Sequence, residues 1–315
     1  MSSESVRNAN FLPTTLVLTA GVLWSFSGIL IKEIHWNAWA IAAARSLIGG
    51  TCQLGFLYYC ARAGAGTRLG FANLLREIFV CADKAHWLGA ACFVVNMIAL
   101  VAAFQITKAA NAVFLHYAGL VLVAVFSGPI LKQVPTKEDW WSVAAGLIGM
   151  LLIAVDALDA KSVIGTCLGV VCGISLALCQ ICLGLRSQRQ QSGREALETI
   201  FLANFMMFVL GAPFMFQPAS LALSRWDFAF LLLLGVVPWA VPDVLYSIGI
   251  KRVPILRALI LGLLDPVLTA VWPFVFLGET PGLSVLIGAS VATVAVVYQN
   301  VWEQRKLKSV ERNWK

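Results

Sequence analysis

Long apolar runs, separated by short polar segments, follow one another along the whole chain. Most runs are about 20 residues long, which is the length a helix needs to cross about 30 Å of hydrocarbon. The fifth run is the shortest, and the third and fourth are nearly continuous. The pattern predicts an all-α membrane protein with ten transmembrane helices, at residues 12–31, 38–59, 87–107, 109–131, 140–155, 163–185, 198–216, 228–250, 253–277 and 282–301.

The composition agrees with this pattern. Of the 315 residues, 60% are hydrophobic and 12% are charged, with a mean hydropathy of +0.83. A soluble domain has about 25% charged residues. The first run does not have the form of a signal peptide, because Lys32, Glu33 and His35 follow it without a small-residue cleavage site. We expect an integral, multi-pass membrane protein, and the short loops suit a bacterial plasma membrane.

Lysine and arginine are unevenly distributed among the polar segments. If the N-terminus is cytoplasmic, the opposite side receives Lys32, Lys108, Lys161 and Arg225, and the larger basic clusters lie on the cytoplasmic side. Cytoplasmic loops of membrane proteins are enriched in these residues, so the pattern predicts that both termini are cytoplasmic. The net charge of +7 then reflects the anionic cytoplasmic leaflet, and no nucleic-acid partner is expected.

The two halves of the chain show weak sequence similarity to each other. Residues 104–113 correspond to residues 247–256, and residues 132–141 correspond to residues 278–287. Because each half contains an odd number of spans, five, the second half enters the membrane from the opposite side. Such inverted repeats are typical of secondary transporters. The expected organisation is a first repeat at 1–157, a second at 158–302 and a basic cytoplasmic tail at 303–315.

Motifs for other kinds of chemistry are missing from the sequence. It contains no GxxxxGK[ST], no HExxH and no GxSxG, which argues against a P-loop ATPase, a zinc protease and a serine hydrolase. Cys179 and Cys182 form a CxxC inside an apolar run, where packing is favoured over metal binding. We expect no enzymatic activity, no cofactor and no metal site. The expected partners are a small-molecule substrate and the lipid bilayer.

Five ionisable residues lie well inside the predicted spans: Arg45, His116, Asp243, Arg257 and Asp265. Such residues are costly in a bilayer and often functional. Asp243 and Arg257 share a depth on consecutive spans, which suggests an ion pair or a snorkelling Arg257. Arg45 is either a structural residue near a helix end or a substrate ligand. His116 is either a satisfied core imidazole or a proton carrier.

Prolines accompany the two carboxylates. Pro266 follows Asp265 and should free the carbonyl of Gly262, so a discontinuous helix facing the transport path is predicted there. The alternative is a protonated carboxyl that hydrogen-bonds a neighbouring helix. Further helix-breaking positions are expected at Pro273, Pro238 and Pro242.

Three tryptophans lie deeper than the interfacial belt: Trp24, Trp239 and Trp272. They are candidates for a cavity lining, and simple packing is the alternative for each.

Several stretches together resemble EamA-type transporters of the drug/metabolite transporter superfamily. They are LWSFSGILIK (23–32), AAARSL (42–47), KAANAVFLHYAG (108–119), GLIGMLLI (146–153) and LLDPVLTAVWPFVFLGETP (263–281). The resemblance implies two inverted five-helix repeats, a central cavity lined mainly by helices 1, 3, 4, 6, 8 and 9, and secondary transport.

Individual positions match this family unequally. Asp265 and Pro266 match an acidic residue and a proline of helix nine, and Gly278–Glu279 match its terminal Gly-Glu. The first half departs from the pattern, with Gly119 in place of a proline and with Lys132 and Gln133 in place of the Gly-Glu.

These observations favour a secondary exporter of small polar metabolites such as amino acids. In this hypothesis Asp265 carries or senses a proton, Arg45 or His116 attracts an anionic group, and the three tryptophans form an amphipathic wall. A first alternative is efflux of cationic or aromatic drugs, attracted by Asp243 and Asp265. A second is a membrane scaffold or receptor that transports nothing.

Overall fold

The computed structural model describes residues 3–63, 70–80, 83–106, 109–154, 163–189, 194–217, 224–277 and 282–313. Every regular element in this part of the chain is helical. The α-helices are α1 Ser3–Trp24, α2 Ser27–Glu33, α3 Ala38–Ala63, α4 Phe71–Phe79, α5 Lys84–Ile106, α6 Ala109–Tyr117, α7 Gly119–Leu131, α8 Lys137–Ala154, α9 Val163–Arg189, α10 Glu195–Met215, α11 Arg225–Gly235, α12 Val241–Gly249, α13 Ile255–Gly262, α14 Leu264–Leu277 and α15 Leu283–Asn313.

Nine helical segments of the described residues are long and apolar enough to cross a membrane. They correspond to nine of the ten predicted spans. The remaining prediction, residues 140–155, falls on α8, whose first turn has three charged residues, Lys137, Glu138 and Asp139. These charges explain why α8 is long enough to be a membrane span but is not apolar enough.

Several spans are interrupted near their middle. The first breaks at Ser25 and Phe26, the fourth at Ala118 and the ninth at Leu263. The eighth passes through a π-helical turn at Val236–Ala240, a feature that is common at functional sites. The proline-rich composition of spans eight and nine predicted interruptions there, whereas those of spans one and four were not predicted.

Pro238 lies inside the π-helical turn and Pro242 opens α12. The break before Pro266 leaves that proline in the first turn of α14, where the missing amide is tolerated. The prediction of a further break at Pro273 is wrong, because α14 runs continuously from Leu264 to Leu277. A single proline removes one backbone hydrogen bond, and a helix can absorb this loss without ending.

Long helix pairs build the bundle: α5 lies along α9, α8 along α15 and α3 along α10. The buried apolar side chains form two clusters, one centred on α1, α7, α9 and α13, the other on α2, α3, α5 and α10. Phe93 packs against both clusters. A cavity lies beside it, at the depth of the helix breaks.

Candidate central cavity

The cavity has a volume of about 90 Å³. It is lined by Trp24, Ser27, Phe93, Asn96, Leu100, His116, Tyr117, Leu176, Cys179, Gln180, Leu183, Ile200, Trp239, Asp243, Tyr246, Ala258, Leu259, Gly262 and Asp265. Five of the predicted site residues are in this lining: Trp24, His116, Trp239, Asp243 and Asp265. The lining comes from spans one, three, four, six, eight and nine, with Ile200 added from span seven.

Asp265 lies directly after the break in span nine, and two hydroxyl groups contact it. Tyr117 Oη is 3.0 Å from Asp265 Oδ2, and Thr269 Oγ1 is 3.2 Å from Oδ1. Each hydroxyl also has a second acceptor at a helix break. Tyr117 Oη is 3.1 Å from the Gly262 carbonyl, and Thr269 Oγ1 is 3.3 Å from the carbonyl of Ser25.

A hydroxyl has one proton, so it cannot donate to both of its acceptors at once. If Asp265 is ionised, Tyr117 donates to the carboxylate and Gly262 loses its donor. If Asp265 is protonated, the carboxyl donates to Tyr117 Oη, and Tyr117 donates to Gly262. The same geometry thus accommodates both protonation states of Asp265.

Asp243 has different neighbours. Gln53 Nε2 donates to its Oδ2 at 2.9 Å, and Trp24 shares the cavity lining with it. Gln53 Oε1 accepts a bond of 3.0 Å from Asn204 Nδ2, and Asn204 Oδ1 accepts one of 2.8 Å from Trp239 Nε1. A continuous chain of buried hydrogen bonds therefore joins spans two, seven and eight behind the cavity wall.

Arg45 is not part of the cavity lining. Its side chain is 1% exposed, and its Cζ lies 3.7 Å from the centre of the Trp239 ring, in a cation–π contact. Arg45 Nε and Nη2 have no hydrogen-bond partner among the described residues. The indole of Trp239, rather than the guanidinium, is the group that reaches the cavity.

His116 belongs to a cluster with Asn96 and Cys172. His116 Nδ1 lies 2.9 Å from Cys172 Sγ and 3.3 Å from Asn96 Nδ2. With the ring proton on Nε2, Nδ1 accepts from these neighbours, and with the proton on Nδ1 the ring donates to Cys172 Sγ. His116 is a hydrogen-bonded, buried imidazole that borders the cavity.

The expected ion pair between Asp243 and Arg257 is wrong. Arg257 Nε instead contacts Asp139 Oδ1 at 3.1 Å. Asp139 caps the start of α8 through Thr136, and its Oδ1 also accepts a 2.7 Å bond from Gln299 Nε2. Equal depth on consecutive spans does not fix the direction in which a side chain points, and α13 turns Arg257 toward α8 and α15.

Trp272 lies outside the cavity lining. Its Nε1 donates to Ser25 Oγ at 2.8 Å, and its ring stacks on Phe26 with 4.7 Å between centroids. Trp272 therefore connects span nine to the break in span one. The predicted Gly278–Glu279 position is outside the described residues.

Comparison with known proteins decides the family of the chain. The profile of the EamA-like transporter family matches residues 12–155 and again residues 163–300, which together make up most of the sequence. The chain belongs to the EamA-like transporter family. It is accordingly a multi-pass integral membrane transporter that acts on a small-molecule substrate.

Two relatives agree with this membership. A protein of Archaeoglobus fulgidus, described as an uncharacterized transporter, is 29% identical over 197 residues, covering 62% of this chain and 69% of that protein. A solved crystal structure has a TM-score of 0.71 at 16% identity, covering 93% of this chain and 98% of the other. At 16% identity, the similarity to this crystal structure shows a shared fold.

Both EamA-like segments contribute to the cavity. Trp24, Phe93 and Tyr117 come from the first, and Asp243 and Asp265 come from the second. Asn96, Tyr117, Gln180 and Tyr246 were not among the predicted site residues. Asn96 and Gln180 are uncharged polar residues inside apolar runs, so a search for polar as well as ionisable residues would have found them.

Proposed function

We propose that this protein is a secondary transporter that exports small polar metabolites, such as amino acids, by alternating access. The observation that carries the proposal is the cavity built where interrupted helices of both family-matched segments meet. Broken helices at mid-membrane depth are where secondary transporters bind their substrates. The proposal includes ten spans in two inverted repeats, 1–157 and 158–302, with the tail 303–315 and both termini in the cytoplasm, and transport without an enzymatic step.

The size of the cavity favours a small solute. Ligand pockets commonly have volumes of about 300–1,000 Å³, whereas this cavity has about 90 Å³. A bulky drug would require a much larger opening of the bundle than an amino acid would. The bacterial plasma membrane remains the proposed location.

Asp265 is the proposed proton carrier. Its hydroxyl partners, Tyr117 and Thr269, each have an alternative carbonyl acceptor at a helix break, Gly262 and Ser25 respectively. Gain or loss of a proton at Asp265 would therefore change the hydrogen bonds at the breaks of spans nine and one. This arrangement supports a coupling between protonation and the shape of the cavity.

The direct test is the flux of a pooled, labelled amino-acid mixture in proteoliposomes, with and without an imposed pH gradient. Accumulation that requires the gradient is the expected result. Flux that merely equilibrates would support facilitated export and remove the proton role of Asp265. Protein-free liposomes supply the background.

Efflux of cationic or aromatic drugs is a second candidate, favoured by the aromatic side chains of Trp24, Phe93, Trp239 and Tyr246 in the lining. If a panel of organic cations is transported and the amino acids are not, the result would support drug efflux. Absence of flux for both panels would contradict transport and favour a scaffold or receptor.

A further inference from the structure

The chain of hydrogen bonds behind the cavity has a fixed direction. It begins at Trp239 Nε1, passes through the side-chain amides of Asn204 and Gln53, and ends at Asp243 Oδ2, with lengths of 2.8, 3.0 and 2.9 Å. Asn204 and Gln53 are 0% exposed and Asp243 is 1% exposed. Buried amides of this kind are held by their partners, so the end groups determine their orientation.

An indole N–H donates and never accepts. Trp239 therefore requires the oxygen of Asn204, which directs the Asn204 amino group to Gln53 Oε1. Gln53 in turn presents its own amino group to Asp243. Gln53 thus offers Asp243 an N–H group, the arrangement that suits a negatively charged carboxylate.

This environment contrasts with that of Asp265, whose hydroxyl partners can reverse their direction. Asp243 has no such freedom, because turning the Gln53 amide would disrupt each bond of the chain back to Trp239. The two carboxyls of the cavity are therefore chemically different. The hydroxyl partners of Asp265 suit either protonation state, whereas Gln53 requires Oδ2 of Asp243 to be an acceptor.

The cavity offers Asp243 no cationic partner of its own. The described lining contains two carboxyls and neither lysine nor arginine. Three other titratable side chains lie close to Asp243: Cys179 and Tyr246 in the lining, and Arg45 behind Trp239. Arg45 stacks on that indole ring and attracts Asp243 from outside the lining, although the described residues include no ion pair with Asp243 within 4 Å. A positive group of the solute would complete the site.

We propose that Asp243 binds the ammonium group of the solute, and that Gln53 and Asn204 are positioning residues that hold this carboxylate as an acceptor. The proposal rests on the proposed transport function of the cavity and adds the substrate class, solutes with a primary ammonium group. The faces of Trp24 and Trp239 are suited to contact the same cation.

The test compares leucinamide, butylamine and methylamine with N-acetyl-leucinamide, which is neutral. Binding is measured on the purified protein by calorimetry and by thermal stabilisation, and competition is measured against labelled amino-acid flux. At least one amine should bind about tenfold or more tightly than the neutral amide, the scale of one hydrogen bond to a charged group. Asp243→Asn should reduce this ratio to about one.

The positioning role is tested with Gln53→Leu and Asn204→Leu, which do not alter lining residues. Each should lower the amine-to-amide ratio by about fivefold or more while leaving the weak binding of the neutral amide unchanged. Gln299→Leu is the matched control, because Gln299 also donates a buried amide bond to an aspartate, Asp139, away from the cavity. Gln299→Leu should lower thermal stability and keep the ratio.

Equal binding of the amines and the neutral amide by the unmodified protein would overturn the proposal. So would a ratio that survives Asp243→Asn. Amine binding without flux of any labelled solute would uphold the role of Asp243 and contradict the transport function, so the two failures are distinguishable.

Discussion

At the scale of single residues, the role of Asp265 is the sharpest question. In Asp265→Asn the side chain keeps its shape and can still hydrogen-bond with Tyr117 and Thr269, but it no longer exchanges a proton. We expect accumulation driven by a pH gradient to be lost and downhill exchange to stay within about tenfold, since the change affects one or two hydrogen bonds. Flux in proteoliposomes with and without the gradient measures both quantities.

Asp227→Asn is the control for this substitution. Asp227 caps the start of α11 through Ser224, outside the cavity lining. The control should lower thermal stability and keep gradient-driven accumulation. Accumulation that persists in Asp265→Asn would assign Asp265 a structural role.

The sequence predicted which residues lie beside the cavity better than it predicted their contacts. Asp265 and Trp239 were recognised because a charged or aromatic group deep in an apolar run is unusual. The pairing of Arg257 with Asp139 was missed, since depth along a span contains no information about direction around the helix axis. Gln53 and Asn204 were missed because neutral amides do not stand out in a charge-based search.

At the scale of elements, two glycines determine how span four contacts span six. A Cβ on Gly119 would clash with the carbonyl of Gly173, and a Cβ on Gly173 would lie 2.6 Å from the carbonyl of Leu115. Backbone atoms cannot rotate away, so the helices can approach this closely because both positions are glycine. The break between α6 and α7 lies at the same place.

Gly173→Ala should therefore destabilise the protein by about 1–3 kcal/mol, the usual cost of overpacking. Gly173 adjoins Cys172, which contacts His116, so solute binding should also weaken. Thermal unfolding and calorimetry provide the two measurements.

Gly55→Ala, in α3, is the matched control, because Gly55 is exposed and a Cβ there meets nothing within 4 Å. The substitution should be neutral or stabilise the protein by up to about 1 kcal/mol, since alanine has a higher helix propensity than glycine. Equal stability of the two alanine variants would contradict the proposed close packing.

Helix positions followed from the apolar runs, but the breaks in two of the four interrupted spans did not. Proline marked the interruptions in spans eight and nine, where a missing amide has a direct structural effect. The breaks at Ser25–Phe26 and Ala118 contain no proline. At the first break, the hydroxyls of Ser25 and Ser27 donate to the carbonyls of Val22 and Trp24, both at 2.6 Å. Any serine in a helix can form such a local bond, so a serine in the sequence does not by itself predict a break.

At the scale of the whole molecule, charged contacts concentrate at one end of the bundle. Arg186 contacts Glu198 at 3.1 Å and Asp83 at 3.5 Å, and Arg194 contacts Glu77 at 3.0 Å. In the proposed topology this is the cytoplasmic end. These ion pairs connect α4, the start of α5, α9 and α10, so we expect them to stabilise a conformation in which that end is closed. Opening toward the cytoplasm requires that they separate.

Arg186→Gln should therefore favour the conformation that is open to the cytoplasm. Loss of about 1.4 kcal/mol from the closed state would raise the open fraction about tenfold. Cys179 is a native reporter, because it lines the cavity and is 1% exposed. In a background with Cys179 as the single cysteine, Arg186→Gln should increase its labelling by a membrane-impermeant thiol reagent added from the cytoplasmic side.

Arg225→Gln is the matched control, since Arg225 is exposed at the opposite end of the bundle, and it should leave the labelling rate unchanged. A saturating solute should slow labelling in every variant by occupying the cavity. Faster labelling from the other side of the membrane would reverse the proposed orientation, because the end closed by Arg186 would then face outward. An unchanged rate from both sides would show that this ionic cluster supports the fold without controlling access, and the barrier to the cavity would have to lie among the apolar side chains around it.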